Sequence, residues 1–146
     1  MKRLLLGLLL SFFLLVPLFS QEASIQQLSG KVEVKAPGGN WAVASQGQRI
    51  AKGTTLSTSF GASAVLNIGS SVVNVKQLTR MTLEELIQQQ GTQTTSLKLD
   101  IGSIKAKVQT AEGINHDFTL RTSTSTAAVR GTEFDFDGFT LQVSDG

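Results

Sequence analysis

The stretch Ala127-Ala128-Val129-Arg130-Gly131-Thr132-Glu133-Phe134-Asp135-Phe136 decides how this chain is read. A short apolar run meets Arg-Gly-Thr and then resumes as strict alternation. Glycine at 131 marks a backbone position that needs positive φ or close approach, such as a bulge. Beyond it, Phe134 and Phe136 fall on one face of an extended strand, and Glu133, Asp135 and Asp137 on the other. A helix would scatter these residues around its circumference, so the stretch predicts a half-buried strand.

The same period recurs outward from this stretch. Val32 and Val34 alternate with Lys31, Glu33 and Lys35. Ala62, Ala64, Leu66 and Ile68 alternate with Ser63, Val65 and Asn67. Leu97, Leu99 and Ile101 alternate with Lys98 and Asp100, and Ile104, Ala106 and Val108 with Lys105 and Lys107. Phe118 and Leu120 alternate with Thr119 and Arg121, and Leu141 and Val143 with Thr140 and Gln142. Each segment predicts a strand with one buried and one wet face.

Glycines punctuate these segments. Gly38-Gly39-Asn40 predicts a hairpin turn, and Gly47, Gly53, Gly61, Gly69, Gly91, Gly102, Gly113 and Gly138 all sit near predicted boundaries. Four glycines, Gly30, Gly69, Gly102 and Gly131, each open an alternating strand at uneven spacing. Uneven spacing predicts an irregular stack of turns and short strands, not a regular solenoid. Met81 to Gln90 carries both signals. Thr82 with Glu85 resembles a capping box, whereas Met81 and Leu83 alternate with Arg80 and Thr82; the strand reading is preferred.

The N-terminus reads as a secretory signal. Lys2 and Arg3 precede an apolar run from Leu4 to Phe19, interrupted by Gly7, Ser11 and Pro17, and Ser20 suits cleavage before Gln21. A cut after Ala23 is a second candidate, and an uncleaved anchor the alternative to processing. The run is short against the roughly 20 residues of a membrane span. The expected organisation is therefore a signal peptide at 1–20 and one β domain at 21–146. With no cysteine in the sequence, disulfides, thiol chemistry and lipid attachment at a cysteine are excluded. The chain has 13 Lys+Arg against 11 Asp+Glu, and two of the basic residues lie in the leader, so the mature balance is 11 − 11 = 0. A neutral domain gives no basis for nucleic-acid binding.

The string from Thr122 through Phe134 resembles the signature of the FecR-like periplasmic domain, a T-x-x-A-x-V-R-G-T-x-F pattern. Other pieces follow in order: Leu28-Ser29-Gly30-Lys31-Val32-Glu33-Val34; Trp41, Gly47 and Ile50 to Thr58, with Thr54 where an acidic residue is usual; Ala64 to Ser70; and Leu99-Asp100-Ile101-Gly102-Ser103-Ile104. The resemblance covers about residues 24–146. It implies an all-β fold, an irregular two-layer sandwich or solenoid-like stack of short strands and hairpins. It also implies a sensing or scaffolding role without catalysis, and a structural role for the motif residues Trp41, Gly53, Gly102, Arg130, Gly131, Thr132 and Phe134. Well-known members are transmembrane anti-sigma regulators with a cytoplasmic helical domain. Export signals here begin at residue 1, so that role is not carried over. The family usually adds a further strand after the point where this sequence stops. The chain is thus expected to be either a minimal member or a piece of a longer protein, and a missing strand would leave an exposed sheet edge.

Catalytic and metal-binding constellations are sparse. His116 is the sole histidine and falls in a polar stretch expected to be a solvated loop. No serine sits in a Gly-x-Ser-x-Gly elbow, and no phosphate loop or dinucleotide fingerprint occurs. Glu133, Asp135 and Asp137 are read as a wet strand face, paired with Lys105, Lys107 or Arg121, in preference to a calcium site, because side chains two apart on a strand are about 6–7 Å from one another. Arg130 is expected to tie neighbouring carbonyls or a carboxylate across a bulge. Trp41 is expected to anchor the core at the first hairpin, with a sugar-stacking platform as the alternative. The expected protein is exported to the periplasm or cell envelope, non-enzymatic, and without cofactor or metal. It is expected to bind or scaffold another envelope protein; the alternatives are a cell-wall or glycan-binding module, or a fragment of a longer FecR-domain protein.

Overall fold

In the computed structural model, the described residues are 23–109, 113–137 and 140–145. The leader at 1–20, and the boundary expected at Gly138, lie outside them. Fourteen strands follow in chain order: β1 Ala23–Ser29, β2 Val32–Lys35, β3 Trp41–Val43, β4 Arg49–Ile50, β5 Thr55–Thr58, β6 Ser63–Ile68, β7 Ser71–Val75, β8 Arg80–Gln89, β9 Thr92–Ile101, β10 Ile104–Lys107, β11 Asn115–Arg121, β12 Thr126–Val129, β13 Glu133–Phe136 and β14 Leu141–Asp145. The described residues contain no helix, and Met81 to Gln89 lies in a strand, as its alternation predicts.

The strands form two seven-stranded sheets. The first runs β14-β13-β10-β7-β6-β1-β4 and the second β12-β11-β9-β8-β5-β2-β3. Neighbours are antiparallel except β9 and β11, which run parallel. The chain passes repeatedly from one sheet to the other, and the two inner faces meet in a single core. Val32, Val34, Leu66, Ile68, Leu97, Leu99, Ile104, Ala106, Phe118, Leu120, Phe134 and Phe136 all face it and are buried. The period-two patterns of the sequence thus become a two-layer sandwich. Each of the four strand-opening glycines precedes its strand, β2, β7, β10 or β13, by two residues and has positive φ, between +59° and +93°.

Three apolar residues are more exposed than their alternation predicts, and only Ile101 changes face. Ile101 is 65% exposed because β9 slips against β8. Met81 pairs with Leu99 and Arg80 with Ile101, so Asp100 is an extra residue that turns Ile101 to the outer face. Leu141 and Val143 share the inner face with their partners Phe136 and Phe134, but β14 is the outermost strand and leaves them 40% and 56% exposed.

Candidate functional site

The described surface offers its most distinctive chemistry at one end of the sandwich. There the chain crosses between sheets in three adjacent arches, Ser59–Ala62, Lys76–Thr79 and Gly102–Ser103. They lie side by side because β5, β8 and β9 are neighbours in the second sheet. Two buried hydroxyls staple them. Thr58 Oγ1 donates to the Lys76 carbonyl (2.6 Å), and Thr79 N–H donates to Thr58 Oγ1 (3.0 Å). Thr79 Oγ1 donates to the Ser103 carbonyl (3.1 Å), while Ser103 N–H returns a bond to Thr79 Oγ1 (3.0 Å). The first two arches also join through Leu78 N–H to the Ser59 carbonyl (3.3 Å) and Gly61 N–H to Gln77 Oε1 (2.8 Å).

Each arch region presents one large apolar side chain to solvent: Phe60 at 81%, Leu78 at 55% and Ile101 at 65% exposure. Strand spacing sets neighbouring arches about 5 Å apart, which places these three exposed apolar residues along one end of the sandwich, the apolar ladder. Leu78 sits at φ +54°, a left-handed conformation that costs a non-glycine residue about 1–2 kcal/mol. Strain and exposed apolar surface therefore coincide at one place, a combination that points to function. Sequence patterning missed this ladder because Phe60 and Leu78 are lone apolar residues beside turns and Ile101 reads as an inward strand position; the Thr58 and Thr79 hydroxyls next to those turns are the local signal.

The expected motif residues do not gather into one site. Gly53 (φ +84°) lies against Pro37, and Gly102 (φ +93°) against Thr79 and Leu78. Gly131 (φ +60°) has open space around it and turns the chain from β12 in one sheet to β13 in the other, so it serves a crossover and not a bulge within a strand. Thr132 follows it with its hydroxyl oxygen buried and unbonded, and its carbonyl accepts from Val108 N–H (3.0 Å). Phe134 is fully buried, edge-on to Phe118 at 5.7 Å between ring centroids.

Arg130 Nε donates to Asp117 Oδ1 at 2.7 Å, joining the end of β12 to β11, with the arginine side chain 79% exposed. The expected carboxylate tie is present, but it spans neighbouring strands at the surface. Arg130→Ala should therefore lower stability by less than about 1 kcal/mol, as for other solvated ion pairs, and thermal melting checks it. A loss of many degrees would show that the pair holds the crossover together.

Trp41 is not a core anchor. It lies on the outer face of the outermost strand β3, 41% exposed, with the Arg80 guanidinium 5.6 Å from its ring centroid. The inner positions nearby are taken by Val34 and Ala44. On the acidic face of β13, Glu133 pairs with Lys105 as expected, whereas Asp135 pairs with Lys76 of the arch between β7 and β8 and not with Lys105, Lys107 or Arg121. Lys105 Nζ lies 2.7 Å from Glu133 Oε1, and Lys76 Nζ 2.6 Å from Asp135 Oδ2. The Lys105 hydrogen bond holds the Glu133 carboxyl below its usual range.

His116 is not a solvated loop residue. It lies on β11, 2% exposed, on the same inner face as Phe118 and Leu120. Its Nδ1 is 2.9 Å from Ser71 Oγ and its Nε2 is 3.0 Å from Thr95 Oγ1, and both hydroxyl residues are fully buried. A serine hydroxyl against an imidazole is a pairing used in nucleophilic catalysis. Here the third group is a threonine hydroxyl, and all three side chains are closed to solvent, so the cluster ties β7 of one sheet to β9 and β11 of the other.

Burial pushes the His116 imidazole below the ordinary histidine value of 6.5, against opposing effects of the Gln109 carbonyl and Asp117. Above that value both folded and unfolded chains carry neutral His116. As pH falls below it, the unfolded chain takes up a proton that the folded chain resists, so stability drops. Melting temperature should therefore decline between about pH 6.5 and 5, above the carboxylate range, and His116→Gln should flatten that decline. A flat profile in the parent protein would contradict the buried neutral imidazole.

Among the described residues no group of three or more His, Cys, Asp or Glu side chains could hold a metal ion, and no helix is long and apolar enough to cross a membrane. Comparison with known families gives one match: the model described as FecR protein covers residues 54–146, more than half the chain. That span holds the three arches and the segment Arg130–Phe134, while Trp41 and Gly53 precede it. No curated protein and no solved structure matches the chain.

Proposed function

The chain belongs to the FecR protein family, and from that premise we propose that it is a stand-alone exported member that binds or scaffolds another protein of the periplasm or cell envelope and catalyses no reaction. The observation that carries this reading is the apolar ladder Phe60–Leu78–Ile101 on the stapled arches. Its three members are 81%, 55% and 65% exposed, and exposed apolar side chains grouped on a surface mark interaction sites. Leu78 supports the reading separately. Leu78→Gly relieves the left-handed strain and adds glycine's conformational cost of roughly 0.5–1 kcal/mol. Melting should then stay within a few degrees of the parent while partner capture falls; equal loss of both would make Leu78 a folding residue.

The test is a crosslinking pull-down of the tagged, processed protein from intact envelopes. Recovery of one defined protein supports the proposal. Recovery of peptidoglycan or sugar alone favours the second reading, a glycan-binding module, for which the exposed Trp41 is the supporting feature, although Arg80 already covers one face of its ring. Export is checked by mass spectrometry of the mature N-terminus, expected at Gln21.

A further inference from the structure

A charged row adjoins the arch ladder on the outer face of the second sheet. Ile101 pairs across strands with Arg80, Arg80 with Ser57, Ser57 with Glu33 and Glu33 with Val43. Residues directly opposite in antiparallel strands share a face. One row therefore runs from the ladder residue Ile101 over Arg80 to Val43, which is 73% exposed on the outermost strand β3. Trp41 shares that face two residues from Val43, with Lys35 as its own cross-strand partner.

Arg80 and Trp41 lie along this face. β8 and β3 are separated by β5 and β2, so their backbones stand about 14 Å apart at strand spacing. The Arg80 guanidinium is nevertheless 5.6 Å from the Trp41 ring centroid. The two side chains can close that gap only by reaching toward each other across β5 and β2. The charges around them are unequal. Glu33 has Lys31 at 3.3 Å, and Asp100 has Lys98 at 2.9 Å. Arg80 and Lys35 have no carboxylate partner among the described residues. Both cations stand beside the tryptophan, and the ring contact holds Arg80 in place without neutralising it.

We propose that this row receives an acidic segment of the partner protein that the arch ladder binds, with carboxylates against Arg80 and Lys35 and an apolar side chain against Ile101. The proposal rests on the reading of the ladder as a protein-binding surface and names the chemistry of its partner. Charge complementarity selects carboxylates, which a guanidinium binds through two parallel N–H donors. Continuity through Ile101 makes the ladder and the charged row one surface. Arg80 occupies a ring face on which a sugar would stack, which favours a peptide over a glycan. Arginine and tryptophan are also the side chains that most often dominate protein interfaces. Same-face residues of an extended segment repeat every 6–7 Å or so. An apolar residue followed at two-residue intervals by two acidic ones therefore matches the order Ile101, Arg80, Lys35.

The probe is the peptide Ser-Leu-Thr-Glu-Thr-Glu-Ser, titrated against the processed protein at low salt. Binding is read by calorimetry and by the emission of Trp41, the sole tryptophan of the chain. Ser-Leu-Thr-Lys-Thr-Lys-Ser is the charge-reversed counterpart, and an oligogalacturonate is the carboxylated sugar for comparison. The acidic peptide should bind, change the Trp41 emission to saturation, and weaken as salt is raised. Its affinity should fall at least tenfold for Arg80→Glu and for Lys35→Glu, and both variants should prefer the Lys peptide. Both residues are exposed, so the variants should melt within a few degrees of the parent, and those melts are run alongside. If Arg80→Glu melts early, Lys35→Glu, which leaves the contact of Arg80 with Trp41 in place, decides. Absence of acidic-peptide binding, equal binding by the parent and Lys35→Glu, or tighter binding of the oligogalacturonate than of the peptide overturns the proposal. One protein crosslinked at the arch ladder, in a yield that neither charge reversal changes, would remove the acidic segment and leave the proposed function standing.

Discussion

Replacing Phe134 with alanine is expected to destabilise the domain by about 3–5 kcal/mol, a fall in melting temperature of roughly 10–20 °C. Phe134 is fully buried, its ring stands edge-on to Phe118 at 5.7 Å, and its strand lies between β10 and β14. Removing the ring leaves a cavity in the core, with Phe118 facing it and Ala106 and Val143 as the cross-strand neighbours. Phe60→Ala is the matched control. At 81% exposure it should change stability by less than about 0.5 kcal/mol. Equal effects for the two phenylalanines, read by chemical denaturation, would contradict the assignment of inner and outer positions.

Gly102→Ala should be the most costly of the glycine substitutions in the Arg-Gly-Thr crossover and the arches. At φ +93° an added Cβ would lie 2.5 Å from Thr79 Cα and 2.7 Å from the Leu78 carbonyl oxygen. Both are backbone atoms, so relief requires the second and third arches to separate. Left-handed strain of about 1–2 kcal/mol and overpacking of about 1–3 kcal/mol give a loss of roughly 2–5 kcal/mol. Gly131→Ala carries the conformational part alone, about 1–2 kcal/mol, because nothing lies within 4 Å of its added Cβ at φ +60°. The difference between the two variants measures how closely the arches pack. Equal losses would mean that they do not touch at Gly102.

These two residues also show what the sequence makes legible. Alternation placed Phe134, Phe136, Phe118, Leu120, Ala62, Ala64, Leu66 and Ile68 on the core face, and all of them are buried. Strand-opening glycines marked β2, β7, β10 and β13 because a backbone at positive φ leaves a local trace in residue type. What escaped depends on pairing between distant segments. Nothing near Trp41 announces that β3 is an outermost strand, and one slipped residue at Asp100 reverses Ile101. His116 reads as a polar loop residue until its hydroxyl partners are known, and these stand 45 and 21 residues away in the chain. Its period-two relation to Phe118 and Leu120 was the available signal.

The arch ladder shows the same limit for function. Phe60, Leu78 and Ile101 have no shared sequence pattern, and only the stacking of three crossovers brings them together. The family match narrows the fold and leaves the choice of partner to surfaces such as this one.

The most direct test of the binding account is photocrosslinking in intact cells, with a photoreactive residue placed singly at 60, 78 and 101, and at 94 and 107 as surface controls. The account predicts one common protein adduct at the three ladder positions and none of it at position 107. An adduct of equal yield at all five positions, or none at 60, 78 and 101 in a protein that folds and is exported, would contradict it.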